Sequence, residues 1–136
     1  MQKQSNIIVS SADLARLEHL LNSLPPAARR EIRALLRQLD SAQVREPCDM
    51  PPNVVTMNST VRFTVDMREL CLTLVYPYDI NGRNRVSVFA PVGSALLGLS
   101  EGARARLPRP GGDVDEIRII EVVAQPEREE AACHAC

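Results

Sequence analysis

No tryptophan occurs in this 136-residue chain, and its aromatic inventory stops at two phenylalanines and two tyrosines. That leaves little with which to stack bases or to line an aromatic ligand pocket. A surplus of charge is missing as well: 16 basic residues stand against 17 acidic ones, for a formal net charge of −1. No bulk field therefore draws the chain to nucleic acid or anionic lipid, and electrostatic recognition has to be local. No apolar run approaches the roughly 18 residues of a membrane span, and the opening Met1-Gln2-Lys3-Gln4-Ser5-Asn6 lacks the apolar core of a signal peptide. A cytoplasmic protein is expected. The four cysteines, Cys48, Cys71, Cys133 and Cys136, are irregularly spaced, which argues against a disulfide framework. Cys71 lies in an apolar, strand-like run and reads as a small hydrophobe.

The chain that remains suits one domain with a small appendage. Ser10-Ser11 before Ala12-Asp13 supplies a capping hydroxyl and a first-turn acid, so a helix is expected from there to about Leu24. Leu14, Leu17, Leu20 or Leu21, and Leu24 keep the spacing of one buried stripe. Leu24-Pro25-Pro26 breaks that helix, and Pro26 suits the first position of a second one, in which Ile32, Leu35, Leu36, Leu39 and Ala42 continue a stripe toward Arg45. Two one-sided helices joined by a few residues make a hairpin, a short projection from the rest. Arg29, Arg33 and Arg37 recur at i+4 with Arg30 beside them and only Glu31 as a nearby acid; they form either a solvated flank or a basic contact surface for a partner. Glu46-Pro47-Cys48-Asp49-Met50-Pro51-Pro52-Asn53 cannot continue a helix and marks a boundary. The expected division is 1–49 for the hairpin, 50–126 for a sheet domain and 127–136 for a flexible tail, with the solvated character starting at Gln125.

From Val54 the period changes to two, with Val55, Met57, Val61, Phe63 and Val65 on one face, which reads as a half-buried strand. Asp66-Met67-Arg68 turns the chain into a strand from Leu70 to Tyr76, Pro77 ends it, and Asn81-Gly82 marks the bend before a strand from Arg85 to Phe89. Ala90-Pro91 is a corner, because proline lacks an amide donor and biases the residue before it away from helix. Ser94 to Leu97 then turns helically, and Gly98 suits the left-handed residue that closes such a turn. Ala103 to Leu107 and Asp115 to Ala124 complete the strands, the latter apolar enough for an internal position.

Val54-Val55-Thr56-Met57-Asn58-Ser59-Thr60-Val61, Leu74-Val75-Tyr76-Pro77, Ser87-Val88-Phe89-Ala90-Pro91-Val92-Gly93-Ser94-Ala95-Leu96-Leu97-Gly98-Leu99 and Pro110-Gly111-Gly112 occur in that order. Together they resemble the C-terminal domain of the Gre transcript cleavage factor family, over roughly Met50 to Pro126. The resemblance implies an α+β fold: an antiparallel sheet with a short helix, like prolyl isomerase domains of the FK506-binding type, behind an N-terminal antiparallel coiled coil. It also implies binding to bacterial RNA polymerase near its secondary channel and an indirect influence on nucleoside diphosphate kinase levels. Gre factors offer carboxylates at the tip of their coiled coil to a catalytic magnesium, as a hard cation requires. The matching tip here, Leu24-Pro25-Pro26-Ala27-Ala28-Arg29-Arg30, carries no acid. No cleavage activity is expected, and no enzyme. Pro91 matches the proline of the family's docking corner, while Phe89 stands where the family has an acid, which leaves Phe89 as a core residue or an exposed apolar anchor. Phe89, Ala90 and Pro91 are thus the candidate docking residues, with Arg29, Arg30, Arg33 and Arg37 as a second contact.

Other signals are weaker. Cys133-His134-Ala135-Cys136 could chelate zinc with Cys48 as a distant fourth ligand, yet only three ligands are local, and a solvated end is the expectation. His19 has no nucleophile or acid arranged beside it and reads as surface. Gly111-Gly112 lacks the Lys-Ser/Thr and helix start that a phosphate loop needs. Isomerase activity would rest on fold analogy alone. A non-enzymatic polymerase-binding regulator without cofactor or catalytic residue is the leading expectation, and an isomerase-like enzyme or a zinc-dependent adaptor the alternative.

Overall fold

The computed structural model describes residues 7–108 and 111–127. Strand β1 (Ile8–Ser10) runs directly into α1 (Ser11–Asn22). Ser10 is extended at φ −74°, ψ 148°, and its hydroxyl accepts the Asp13 amide at 3.0 Å, the cap expected from the serine pair. Leu17 and Leu21 carry α1 into the core.

The second helical stretch differs from expectation. It is split into α2 (Pro26–Glu31) and α3 (Arg33–Ser41) around Ile32, which sits at φ −109°, ψ 22°. No glycine or proline lies between Ala27 and Ser41, so packing sets the break: Ile32, Leu35 and Leu39 are all buried in the core shared with the sheet. Nor does the helix reach Arg45. Gln43–Arg45 forms β2, which pairs in parallel with β1 (Ile8↔Gln43, Val9↔Val44, Ser10↔Arg45). A parallel pair needs a crossover of a dozen or more residues, and the helices between the two strands provide it. The N-terminal part is therefore a strand–helices–strand unit packed into the common core in place of a projecting coiled coil.

A mixed, curled sheet follows, built from β3 (Thr60–Val65), β4 (Arg68–Val75), β5 (Arg85–Ser87), β6 (Arg104–Pro108) and β7 (Val114–Ala124). Its five strands lie in the order β5-β4-β3-β7-β6. All neighbours are antiparallel except β5, which runs parallel to β4, a correction to the purely antiparallel sheet expected. One face buries Val61, Phe63, Leu74, Ile117, Ile119 and Val122 against Leu96, Leu97 and the N-terminal helices. The other is solvated, with Arg62 bridging Glu69 at 3.6 Å and Glu121 at 3.1 Å. Cys71, the small hydrophobe of that apolar run, stands opposite Arg62 and is exposed. The first residues of β4, from Arg68 to Cys71, are all exposed, and burial begins only beyond them.

Two further corrections concern loops. Val54 to Ser59 alternates like a strand but is a buried loop: Val55 donates its amide to Leu99 and accepts from Gly98, at 2.8 and 2.9 Å. It pairs with the segment after the short helix α4 (Pro91–Leu96) instead of extending the sheet. The tail expected to be solvated from Gln125 is instead buried at Gln125 and Glu127, with 3% and 6% exposure.

Candidate functional site

The corner after β5 is assembled by short polar side chains. Val88 donates its amide to the Val75 carbonyl at 2.9 Å, ending the sheet contact. The Ser87 hydroxyl accepts the Phe89 amide at 3.0 Å, and the Ser87 carbonyl accepts Ala90 at 3.0 Å. From the other side Ser94 donates its hydroxyl to the Val88 carbonyl at 2.7 Å. Apart from the Val88–Val75 bond, these contacts close the chain on itself within six residues, so the corner beyond the sheet is held by local geometry. Pro91 then occupies the first turn of α4, where a missing amide donor costs nothing. Helix and strand approach so closely that a Cβ on Gly93 would lie 1.9 Å from the Ser87 carbonyl oxygen; only glycine fits.

Of the candidate docking residues, Phe89 is half-buried against the core, Ala90 is half-buried, and Pro91 is exposed. Phe89 thus has an inner side that packs on the core, and it is not fully exposed as a free anchor would be. Val92 continues from Pro91 into an open recess of about 400 Å³, lined by Val65, Leu70 and Leu107 and rimmed by Asp66, Arg68 and Asp115. Met67 stands at the tip of the β3–β4 hairpin, 95% exposed at φ 75°, beside Asp66 at φ 52°. A bulky residue in that conformation is uncommon. The sequence shows Asp66-Met67-Arg68 only as a turn; the recess beside it depends on Val92 and Leu107, which other elements supply.

The four arginines are divided between two helices. Arg33 and Arg37 are exposed one turn apart on α3, which packs beside α4. Arg29 and Arg30 belong to α2, beyond the break at Ile32, and their side chains lie outside the described residues. Cys133, His134 and Cys136 also lie outside them, while Cys48 is exposed in the 3-10 turn at Pro47–Asp49. Among the described residues no group of three histidine, cysteine or acidic side chains could hold a metal ion.

A second polar cluster escaped the sequence reading altogether. Asp13, taken as a first-turn acid, is only 8% exposed and accepts the Met57 amide at 3.1 Å and the Tyr76 hydroxyl at 3.4 Å. Burial pushes its carboxyl up to about 6; the Met57 amide opposes that shift and the neighbouring charge of Glu127 adds to it. Burial likewise holds the Tyr76 phenol well above its ordinary range, with Asp13 adding to the effect. Thr56 donates its hydroxyl to Glu127 at 2.7 Å and its amide to the Ser59 hydroxyl at 2.9 Å. Nothing local in sequence links positions 13, 57, 76 and 127; the fold brings them together.

Comparison with known proteins locates this architecture. The C-terminal model of the transcription elongation factors GreA/GreB matches residues 50–124, and the Rnk N-terminus model matches residues 6–44. The regulator of nucleoside diphosphate kinase of Escherichia coli K12 is 40% identical over 124 residues, covering 89% of this chain and 91% of that one. Transcription elongation factor GreA of Helicobacter hepaticus is 36% identical over 87 residues, 62% of this chain and 53% of that one. Among solved structures, a prokaryotic transcription elongation factor GreA/GreB from Nitrosomonas europaea superposes with a TM-score of 0.70 at 48% identity, covering 90% of this chain and 100% of that chain.

Proposed function

The chain belongs to the regulator of nucleoside diphosphate kinase family, whose C-terminal part is that of the GreA/GreB elongation factors, and from that premise we propose that it is a non-enzymatic regulator of bacterial RNA polymerase. It docks near the secondary channel through the Phe89-Ala90-Pro91 corner, with the exposed arginines of α3 as a second contact. The observation that carries this reading is the corner itself: Pro91 is exposed at the start of α4 and leads straight into the apolar recess that Val92 lines. A rigid, solvent-facing apolar surface suits protein recognition, because little ordering entropy is lost on docking.

The turn between α1 and α2 supports a regulator that does not cleave transcripts. Ser23, Leu24, Pro25, Pro26 and Ala27 offer no carboxylate to a divalent cation. Alpha-helical rise gives α1, with 12 residues, a length of about 18 Å, and its leucines are committed to the core. A factor built this way competes with the cleavage factors for one docking surface, and its influence on nucleoside diphosphate kinase is exerted through transcription. Purified core polymerase is expected to retain the protein in a pull-down at low salt and to release it when a Gre factor is added. Absence of binding under those conditions would sink the proposal, and transcript shortening in stalled complexes would overturn its non-enzymatic part.

A further inference from the structure

We propose that the carboxyl groups of Asp13 and Glu127 form a proton-responsive clasp that holds the turn Gln125–Glu127 against α1 and loosens as Asp13 ionises. Both side chains are more than nine-tenths buried, and both line a single recess of about 170 Å³ between α1 and the C-terminal turn. Each is held by a different neutral partner of the same loop, Asp13 by the Met57 amide and Glu127 by the Thr56 hydroxyl. Thr56 has one hydroxyl hydrogen and gives it to Glu127, so the 2.7 Å contact between Thr56 and Ser59 hydroxyls is donated by Ser59.

Among the described residues, the charged and titratable groups that act on Asp13 are few. Arg16, on the next turn of α1, favours its ionised form; Glu127 from the C-terminal turn opposes it; Tyr76, at the end of β4, approaches as a hydroxyl donor and shares Arg16 as a partner. Among the described residues one guanidinium therefore faces two carboxyl groups in a buried setting, where like charges repel far more strongly than in water. Burial has already pushed the Asp13 carboxyl up to about 6, so the proton is lost within the physiological range.

The C-terminal turn is the element that yields. Helix α1 is anchored by Leu17 and Leu21 in the core and continues from β1, which is laddered to β2. The turn instead rests on the Gln125 amide, which donates to the Pro51 and Val54 carbonyls at 2.8 Å each, and on the Glu127–Thr56 bond. Gln125 Oε1 is buried with no hydrogen-bond partner, so the turn already bears an unsatisfied polar atom when closed.

The test is backbone hydrogen exchange on the full chain between pH 5 and pH 8, normalised to the intrinsic exchange rate. Protection of the Gln125 and Glu127 amides, Pro126 between them having none, is expected to fall about tenfold across that range, the change a coupling of one pKa unit produces, with a midpoint near 6. Asp13→Asn is expected to abolish the step. Glu127→Gln is expected to flatten the step and to move what remains to lower pH, by removing the opposing charge. Protection in the natural chain that does not vary with pH, or a step that survives Asp13→Asn, overturns the clasp. Should Asp13→Asn fail to fold, a step of unchanged size and midpoint in Glu127→Gln overturns it instead.

Discussion

The corner at Ser87–Leu96 and the junction at Asp13 rely on one device with opposite electrostatics. In both, a side-chain oxygen captures a backbone amide: Ser87 holds Phe89 at the corner, and Asp13 holds Met57 at the junction. The corner does this with neutral hydroxyls between residues close in sequence. The junction does it with a desolvated carboxyl across 44 positions of chain. A neutral, local arrangement gives a geometry that does not depend on pH, which suits a docking surface. A buried charge reaching across the fold ties distant segments together but makes their union conditional on protonation, since a buried carboxylate disfavours its own ionised form.

The sharpest way to break the corner is steric. Gly93→Ala places a methyl 1.9 Å from the Ser87 carbonyl, so strand and helix must part; a loss of about 4 kcal/mol or more in denaturant unfolding is expected, in the exceptional class for a single substitution. The junction breaks through pH. Asp13 has a folded value of about 6 against an ordinary 3.8. The native state therefore binds the proton more tightly than the unfolded one, and the stability this confers is full below pH 4 and lost as pH rises through 6. The difference corresponds to about 3 kcal/mol, and it is expected as the gap between the stability–pH curves of the natural chain and Asp13→Asn, whose one amide oxygen can turn to take the Met57 amide that Asp13 Oδ2 accepts. A difference curve without slope between pH 4 and pH 7 would contradict it.

Smaller effects separate the two regions further. Ser94→Ala removes the 2.7 Å bond to Val88 and leaves that buried carbonyl short of a partner, for an expected loss of about 1 kcal/mol that is the same at pH 5 and pH 8. Pro91→Ala and Phe89→Asp are expected to change stability least at the former and polymerase affinity at both, read by competition binding with the fold checked by circular dichroism. Unchanged affinity in both would return the corner to a purely structural role.

Much of the corner was legible in advance because its determinants are local. Ala90-Pro91 announced the end of the strand, and Gly98 the left-handed closure, found at φ 85°. The serine cap of α1 and the bend at Gly82, with φ 92°, were readable for the same reason. The junction was not readable. Asp13 looks like any first-turn acid, and its partners Met57, Tyr76 and Glu127 carry no spacing that connects them. The hairpin recess lay between these cases: the turn was visible, but Val92 and Leu107, which complete its lining, arrive from other elements.

The sequence by itself determined where chain direction changes, which residues cap and close α1 and α4, and to which family the ordered motifs belong, because proline, glycine and capping hydroxyls act on their immediate neighbours. Only the tertiary structure decided that Ile32 interrupts a helix without a breaker, that Val44 joins a strand beside Val9, that Val55 lies in a buried loop, and that β5 runs parallel to β4. Those outcomes are settled by which distant surfaces become buried together and whose backbone groups must then be paired. The same requirement is what draws the Asp13 carboxyl out of water and onto the Met57 amide.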